Sequence, residues 1–243
     1  MLKSLKNRTV LITGAGSGIG RATAIALAKE GMNIALFGGR RTERLEETKG
    51  LVEQYSKCIM LPGDITNLDS IEGMLEEAYE QFGGVDVLIN NAGMALNKPF
   101  EDITENEFDA IMKVDVKTPY FIMQKSLRYL RKSETPVIIN ISSVVAHDGY
   151  PMQSAYVAAK HAVLGFSKSI ARELYKEGIR VHVISPGGVF TDMVKVARPD
   201  LEGEGMIMPE DIADIAVFLL KFRGNAVVDE VNVHREGKEP FLV

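Results

Sequence analysis

The sequence has few features of a disulfide-bonded, membrane-spanning or nucleic-acid-binding protein. Its single cysteine, Cys58, excludes an intrachain disulfide, and its place in a short apolar run indicates a buried strand residue rather than a nucleophile. No apolar run reaches the roughly 18 residues of a membrane span, and no apolar segment follows the basic N-terminal residues as in a signal peptide. The net charge of −5 provides no basic surface for nucleic acid. We therefore expect a cytoplasmic protein with neither a membrane nor a nucleic-acid partner.

Short apolar runs alternate with longer amphipathic stretches along the chain. The apolar runs, which predict buried strands, are Thr9–Thr13, Asn33–Phe37, Cys58–Leu61, Val85–Asn90, Val137–Ser142, Arg180–Ser185 and Val227–Val233. The amphipathic stretches, which predict helices, are Ile19–Glu30, Glu43–Tyr55, Leu68–Phe82, Glu105–Leu130, Ser154–Glu177 and Pro209–Phe222. This alternation predicts an α/β Rossmann fold, a doubly wound parallel sheet of about seven strands with helices on both faces. We expect residues 1–243 to form a single domain.

The first predicted strand runs into a glycine-rich turn, Thr13–Gly20, which a helix follows. Glycine permits backbone angles that other residues resist, and its missing side chain lets a pyrophosphate approach the amides of the helix N-terminus. The pattern is T-G-x-x-x-G-x-G, and its candidate ligand-binding residues are Gly14, Ser17, Gly18, Ile19 and Gly20. We predict that this turn binds a dinucleotide; the alternative is a tight strand-to-helix turn without a ligand.

The residues after the second predicted strand bear on which dinucleotide binds. In NAD sites an acidic residue at the end of this strand binds the ribose hydroxyls. Here two glycines follow Phe37, and Arg40 and Arg41 come next. A guanidinium suits a 2′-phosphate in charge and in the geometry of its donors. The pair therefore favours NADP over NAD, unless the two arginines only begin the following helix.

Asp64 and Ile65 follow the third predicted strand and are further candidates for the cofactor site. The Asp64 carboxylate would accept a hydrogen bond from the adenine amino group. Alternatively, Asp64 would cap the helix predicted to begin near Leu68.

Tyr156 and Lys160 lie four residues apart in a predicted helix, so that their side chains share one face. A free tyrosine has a pKa of about 10, which is too high for an efficient base at neutral pH. A neighbouring ammonium favours the phenolate, which can exchange a proton with a carbonyl or alcohol oxygen while hydride moves at carbon. Taken alone, this spacing is more often found in ordinary surface residues.

The combined pattern resembles the short-chain dehydrogenase/reductase family over nearly the full length of the chain. The segments that carry the resemblance are Thr13–Gly20, Asp64, Asn90–Gly93, Ser142–Ser143, Tyr156 with Lys160, and Pro186–Gly187. Each follows the carboxyl end of a predicted strand or lies on the adjoining helix. The resemblance implies an oxidoreductase that uses NAD(P).

The resemblance also implies a role for each matching residue. Tyr156 would be the general acid/base, and Lys160 would hold the nicotinamide ribose and favour the phenolate. Ser143 would hydrogen-bond the substrate oxygen, while Ser142 would stabilise the strand end. The remaining cofactor contacts would be Asn91 near the adenosine ribose, Ala92, Gly93, Pro186, Gly187, Val189 and Thr191. The last four would form an ordinary strand-to-loop turn if they did not contact the nicotinamide and its phosphate.

One position departs from the family pattern. Relatives usually have an asparagine where this chain has Asp115, and that residue helps to hold a water in a proton relay beside the lysine. Aspartate keeps an acceptor oxygen but loses the amide donors, and its charge would oppose phenolate formation near Tyr156. Our hypothesis is that the relay survives with Asp115 as part of the catalytic site.

The substrate side of the sequence is less informative. Residues 191–208 lack clear periodicity and follow a strand, which indicates a lid over the substrate or, alternatively, a plain surface loop. Candidate pocket residues are Met94, Leu96, Val145, Tyr150, Gln153 and Gly188. We expect His147 and Asp148 to be exposed to solvent. The resemblance implies a homodimer or homotetramer built on the helices of Asp115 and Tyr156. The apolar residues available for such an interface are Tyr120, Phe121, Leu127, Leu164 and Phe166. These residues would fit equally well in the core of the protein.

From the sequence we expect an NADP(H)-preferring oxidoreductase that interconverts a small-molecule carbonyl and a secondary alcohol, without a metal. Two alternatives stay open. An epimerase or dehydratase on the same fold is usually longer than 243 residues. A nucleotide-binding scaffold without catalysis would have no need for Ser143, Tyr156 and Lys160 together, although Asp115 favours it.

Overall fold

The computed structural model of the protein describes residues 3–39, 42–197 and 203–239. Its strands are β1 Thr9–Thr13, β2 Asn33–Phe37, β3 Cys58–Leu61, β4 Val87–Asn90, β5 Val137–Ile141, β6 Arg180–Pro186 and β7 Glu230–Val233. All pairings between neighbouring strands are parallel, in the order β3-β2-β1-β4-β5-β6-β7. The predicted doubly wound sheet is therefore confirmed.

The helices occupy the connections between the strands. They are α1 Gly18–Lys29, α2 Thr42–Val52, α3 Leu68–Phe82, α4 Glu105–Ile111, α5 Thr118–Leu130, α6 Ser154–Leu174, α7 Asp192–Ala197 and α8 Pro209–Lys221. None of the helices within the described ranges is long and apolar enough to cross a membrane. Within the same ranges, no group of three or more His, Cys, Asp or Glu side chains is arranged to hold a metal ion.

Two predicted elements differ from the structure for physical reasons. The stretch predicted as one helix, Glu105–Leu130, is divided by a π-helical segment, Met112–Lys117, in which Thr118 donates its backbone N–H to the Lys113 carbonyl. The seventh strand begins at Glu230 rather than Val227, because its pairing with β6 starts there and Val227 is 48% exposed. Other boundaries agree within about three residues.

The strands place their side chains in two hydrophobic cores, because successive residues of a strand point to opposite faces of the sheet. Val10 and Ile12 of β1 pack in one core together with residues of α1 and α8. Leu11 lies in the other core with residues of α3 and α5. Since both faces of β1 are covered, all five of its residues are buried.

The order of the strands reverses at β1, which has β2 on one side and β4 on the other. In open α/β sheets, the crevice at the carboxyl ends of strands beside such a reversal is the usual place for a ligand. The loops that follow β1, β4, β5 and β6 all leave the sheet at this edge.

Candidate active site

A cavity of about 700 Å³ lies at the carboxyl edge of the sheet. This volume is within the range of about 300–1,000 Å³ that is typical of small-molecule sites. It brings together most of the predicted site residues, namely Gly14, Ser17, Gly18, Ile19, Asp64, Ile65, Asn91, Ala92, Gly93, Asp115, Ser143, Tyr156, Lys160, Pro186, Gly187, Val189 and Thr191. Gly20 supports the turn from behind the wall, and Arg40 and Arg41 lie outside the described residues.

The glycine-rich turn fits a phosphate-bearing ligand. Gly14 has φ of 67°, and a Cβ there would lie 2.9 Å from the Ala92 Cα. A Cβ on Gly20 would lie 2.4 Å from the Gly14 carbonyl oxygen, so the first turn of α1 packs directly on the strand end. The N-cap residue, Ser17, makes no capping bond with its side chain, and the first turn of α1 holds no acidic residue. The backbone N–H groups of this first turn can therefore bind an anion.

Asn91 holds this turn in place rather than pointing freely into the cavity. Its Nδ2 donates to the carbonyl oxygens of Thr13 at 3.0 Å and of Gly14 at 3.2 Å. The Thr13 hydroxyl oxygen in turn accepts from the backbone N–H groups of Asn91 and Ala92, both at 3.0 Å. Sequence reasoning missed the supporting role of Thr13, whose signal is a hydroxyl residue at the end of β1.

Asp64 lines the cavity and shapes the loop after β3. Its Oδ1 accepts from the Thr66 backbone N–H at 3.0 Å and from the Thr66 hydroxyl at 2.8 Å. The alternative that Asp64 caps α3 is wrong, because the Asn67 side chain is the cap and accepts from the Asp69 N–H. An aspartate bonding two residues ahead forms a local turn instead.

Lys160 and Asp115 form a buried ion pair deep in the cavity. The Lys160 Nζ lies 3.2 Å from the Asp115 Oδ2, with 7% and 0% of the two side chains exposed. The other carboxyl oxygen of Asp115 accepts from the Met94 backbone N–H at 2.8 Å. The π-helical segment carries Asp115 inward to these partners. Gly93 fits closely beside it, since a Cβ there would lie 3.1 Å from the Asp115 Oδ2.

Burial and charge act in opposite directions on this pair. Burial raises the pKa of the Asp115 carboxyl, and the Lys160 ammonium and the Met94 amide oppose that effect only in part. Burial alone would lower the pKa of Lys160, but the negative charges of Asp115 and of a Tyr156 phenolate outweigh it and raise that pKa. Lys160 therefore stays an ammonium at neutral pH.

Tyr156 lies beside this ammonium on the same face of α6. The Lys160 Nζ is 5.5 Å from the centroid of the Tyr156 ring. The ammonium is also 3.4 Å from the Ile141 carbonyl oxygen at the end of β5. Tyr156 is partly exposed to the cavity, whereas Lys160 is buried behind it. The Tyr156 phenol can thus contact a substrate in the cavity, while the buried Lys160 ammonium influences it electrostatically.

Ser143 follows β5 and faces the same cavity. Its hydroxyl donates to the Pro186 carbonyl oxygen at 3.3 Å and accepts from the Val145 N–H at 3.4 Å. The neighbouring Ser142 hydroxyl instead donates to the Lys160 backbone carbonyl oxygen at 3.4 Å, which ties the strand end to α6. The two serine hydroxyls therefore have different partners, although both residues line the cavity.

The residues predicted for the substrate pocket separate into two groups. Met94 lines the cavity, whereas Leu96 packs beside Ile111 of α4 and Ala155 of α6. Val145 is buried and Tyr150 is 39% exposed on the loop before α6. The cavity wall that the sequence did not indicate includes Gly39, Gly63, Thr66, Ala110, Lys113 and Val114, whereas Met193 and Val194 belong to the predicted lid segment.

The segment predicted as a lid is described up to residue 197 and again from residue 203. Its ends meet, because the Phe190 N–H donates to the Ile207 carbonyl oxygen at 2.8 Å. Between them lies α7, whose residues Asp192, Met193 and Val194 line the cavity. Asp192, at its start, pairs with Arg44 of α2 at 3.0 Å. This pair links α7 to the helix that follows the predicted 2′-phosphate segment.

His147 and Asp148 lie at the surface, as expected, but His147 is not free. Its imidazole pairs with Glu230 of β7 at 2.6 Å, and 24% of the His147 side chain is exposed. The sequence separation of 83 residues hides this contact from sequence reasoning.

Comparisons with known proteins bear on the family and the fold. The family model described as short chain dehydrogenase matches residues 8–202. General stress protein 39 of Bacillus subtilis is 35% identical over 198 residues, which cover 81% of this chain and 68% of that protein. The 3-oxoacyl-[acyl-carrier-protein] reductase of Staphylococcus aureus is 31% identical, covering 95% of this chain and 97% of that protein. The crystal structure of levodione reductase superimposes with a TM-score of 0.87 at 30% identity, covering 95% and 96% of the two chains.

Proposed function

The chain belongs to the short-chain dehydrogenase family and is an oxidoreductase of carbonyl and CH–OH groups; from this premise we propose an NADP(H)-preferring enzyme with Ser143, Tyr156 and Lys160 as its catalytic residues. The observation that carries the proposal is that these three side chains and the glycine-rich turn line one cavity. A carbonyl would be reduced to a secondary alcohol there, or the alcohol oxidised.

The cavity supports a dinucleotide along its length. The uncapped amides at the start of α1 suit the pyrophosphate, and Asp64, which lines the cavity, would bind the adenine. Pro186 and Gly187 line the same cavity as Tyr156 and would contact the nicotinamide. When bound, NADP(H) supplies or accepts the hydride. The role of the protein is to orient both reactants and to handle the proton.

Tyr156 would exchange the proton with the substrate oxygen. Its hydroxyl is the titratable group that the cavity exposes beside the Lys160 ammonium. That cation favours the negative phenolate over the neutral phenol, and its burial strengthens the effect. During reduction Tyr156 donates the proton to the forming alkoxide, and during oxidation it removes the alcohol proton.

Ser143 would hold the substrate oxygen in line with Tyr156. Its hydroxyl can turn from the Pro186 carbonyl toward a substrate oxygen, because a 3.3 Å bond is long and weak. A donor aimed at an oxygen that gains negative charge stabilises the transition state. Asp115 would complete the site by fixing the position of the ammonium and by taking the place of the asparagine in the family's proton relay.

The preference for NADP is supported by sequence. Arg40 and Arg41 follow β2, where an acidic residue would favour NAD. Replacing both arginines with alanine should weaken binding of NADPH and leave that of NADH nearly unchanged. An equal loss for both dinucleotides would contradict the 2′-phosphate role.

The substrate would be a small-molecule carbonyl or alcohol. The relatives named above act on a 3-oxoacyl-[acyl-carrier-protein] and on levodione, which supports a ketone as the substrate class without selecting one. A homodimer or homotetramer is also proposed. Tyr120 supports it, because its ring is 40% exposed and makes edge contacts with Phe121 and Phe166 on the outer face of α5 and α6.

A nucleotide-binding scaffold without catalysis is the second candidate, favoured by the carboxyl of Asp115 beside the ammonium. Calorimetric titration with NADPH and with NADH, followed by a ketone screen at the NADPH absorbance band, separates the two. The proposed function predicts tighter binding of NADPH and turnover that Tyr156→Phe abolishes while cofactor binding persists. Tyr175→Phe, at a phenol that is 63% exposed elsewhere on the surface, is the matched control. Binding without turnover of any ketone would favour the scaffold.

A further inference from the structure

The Glu230 carboxylate joins two segments that meet beside Ser143. One oxygen, Oε1, accepts both from the His147 Nε2–H at 2.6 Å and from the Ser185 hydroxyl at 2.8 Å. Because a carboxylate only accepts, the imidazole must present its Nε2 proton. We call these three residues, His147, Ser185 and Glu230, the carboxylate bridge.

Both outer members of the carboxylate bridge are close in sequence to the groups that hold Ser143. His147 ends the 3₁₀ turn Val144–Ala146, for which Ser143 is the N-cap residue. Ser185 directly precedes Pro186, whose carbonyl oxygen accepts the Ser143 hydroxyl. The bridge therefore fixes the turn that carries the Ser143 hydroxyl relative to the strand that carries its acceptor.

The environment of the bridge makes its hydrogen bonds stronger than those between neutral groups at the surface. The side chains of His147 and Glu230 are 24% and 19% exposed, and Ser185 is fully buried. Hydrogen bonds to an ionised carboxylate are about twice as strong as neutral ones, and partial burial reduces their screening by solvent. Ala146 adds an apolar contact with Leu164 and Val183 directly next to the bridge.

The carboxylate bridge stands at the start of an exposed loop. Residues 147–152 are exposed, and they lead to Gln153 and the start of α6, two residues before Tyr156. The segment between Ser143 and Tyr156 is thus attached to β7 at one point, through the hydrogen bond between His147 and Glu230. A loss of this hold would let the turn and the exposed loop move together.

We propose that Glu230 is a positioning residue: through His147 and Ser185 it keeps the Ser143 hydroxyl in place for the substrate oxygen. This inference rests on the proposed function. It assigns to β7, which does not reach the cavity, a part in the geometry of the reaction. A displacement of about 1 Å in such a group can lower a rate by as much as about 100-fold.

The test compares Glu230→Ala with Glu230→Gln, which keeps an acceptor oxygen, and with Asn232→Ala, an exposed residue of the same strand. Glu230→Ala should lower kcat about tenfold or more, with little change in the Kd for NADPH. Glu230→Gln should recover most of kcat, and Asn232→Ala should be like wild type. Equal kcat in wild type and Glu230→Ala would overturn the proposal.

A second readout does not depend on turnover. In the free protein, hydrogen–deuterium exchange of the Ala146 and His147 amides should be faster in Glu230→Ala than in Asn232→Ala, because their bonds to Ser143 and Val144 open more often. Unchanged exchange would also overturn the inference. If wild type turned over no ketone, the proposed function would fail, while faster exchange would still support the bridge as the anchor of this turn.

A double variant tests whether the members act as one unit. His147→Ala and Glu230→Ala should each lower kcat, and the double variant should be little worse than either alone. Effects on kcat that multiply would mean that the two residues act independently, which contradicts the carboxylate bridge.

Discussion

The Asp115 carboxyl and the Lys160 ammonium lie 3.2 Å apart, out of contact with bulk solvent, directly behind the Tyr156 ring. A buried pair of this kind gains little net stability, because removing two charges from water costs as much as their attraction returns. Its effect is on the electrostatics of the cavity. The carboxyl moderates the positive charge that the phenol experiences, and it does so more strongly when it is ionised.

Replacing Asp115 with asparagine should therefore change activity in a pH-dependent way. Burial raises the pKa of the Asp115 carboxyl, so below that pKa it is neutral, like the amide, and both proteins should have a similar kcat. Above it, the wild-type carboxylate opposes negative charge on the Tyr156 oxygen, and the variant should be faster by up to about tenfold. The measurement is kcat for alcohol oxidation against pH. Asp109→Asn, at an exposed position of α4, should follow the wild-type profile throughout, and identical profiles for all three proteins would contradict the role of Asp115.

A methyl group at Gly20 should disrupt the phosphate-binding turn. Its Cβ would lie 2.4 Å from the Gly14 carbonyl oxygen and 2.5 Å from the Asn91 Nδ2, so the turn must move. We expect Gly20→Ala to lower the free energy of unfolding by about 1–3 kcal/mol and to weaken NADPH binding. Urea denaturation and calorimetry measure the two effects. Gly73→Ala in α3 meets no atom within 4 Å and should instead stabilise the protein by about 0.5–1 kcal/mol. A stable Gly20→Ala protein that binds NADPH normally would show that the turn tolerates the shift.

The buried amide of Asn140 links β4, β5 and α6. It accepts from the Asn90 Nδ2 at 2.9 Å and donates to the Ser167 hydroxyl at 2.8 Å. Asn140→Ala leaves both partners buried without these bonds and should cost about 1–3 kcal/mol in the free energy of unfolding. Urea unfolding is the appropriate measurement. Asn106→Ala, at an exposed position of α4, should change stability by less than about 0.5 kcal/mol. Equal stability of the two variants would rule out a stabilising role for the linked amides.

The ion pair between Arg44 and Asp192 should slow the release of the cofactor. It joins α2 to α7, which lines the cavity, so we expect α7 to separate from Arg44 when the cavity opens. Both side chains are largely exposed, and such pairs contribute little energy, so we expect Arg44→Gln to speed NADPH release only about two- to fivefold. Stopped-flow displacement measures the rate. Lys49→Gln, which removes a different ion pair of α2, is the control. High salt should abolish the difference in release rate between Arg44→Gln and wild type, because it screens the ion pair. Equal release rates of the two proteins at low salt would contradict the proposed role of the ion pair.

The sheet and the cavity could be predicted from the sequence because their signals are local. The alternation of apolar runs and amphipathic stretches follows from burial on both faces of a parallel sheet, and it placed the glycine turn, Ser143 and Tyr156 at the carboxyl edge. The family resemblance then supplied a role for each of them. Helix α3 illustrates this, since its predicted range, Leu68–Phe82, is the range observed.

The contacts that support the site could not be predicted in the same way. The bonds between Thr13 and Asn91 join residues 78 apart, and the contact of His147 with Glu230 joins residues 83 apart. Such pairs depend on the register of neighbouring strands and on the direction of each side chain, which a single sequence does not specify. The π-helical segment was missed because a widened turn keeps the amphipathic pattern of the helix on either side.

That widened turn also sets the angular relation between α4 and α5. An α-helix advances about 100° per residue, and the extra residue of a π-helical turn shifts the phase of everything after it. Ile111, just before the turn, packs on Ala155 and Ala159 of α6, whereas Ile122 and Met123 beyond it pack against the sheet. The continuous helical segment from α4 to α5 can thus pack on α6 with its first part and on the sheet with its second part. Deleting a single residue between 112 and 117 would rotate α5 relative to α4 about the helix axis. The Asp115–Lys160 ion pair and the packing of Ile122 and Met123 against the sheet would then be disturbed together.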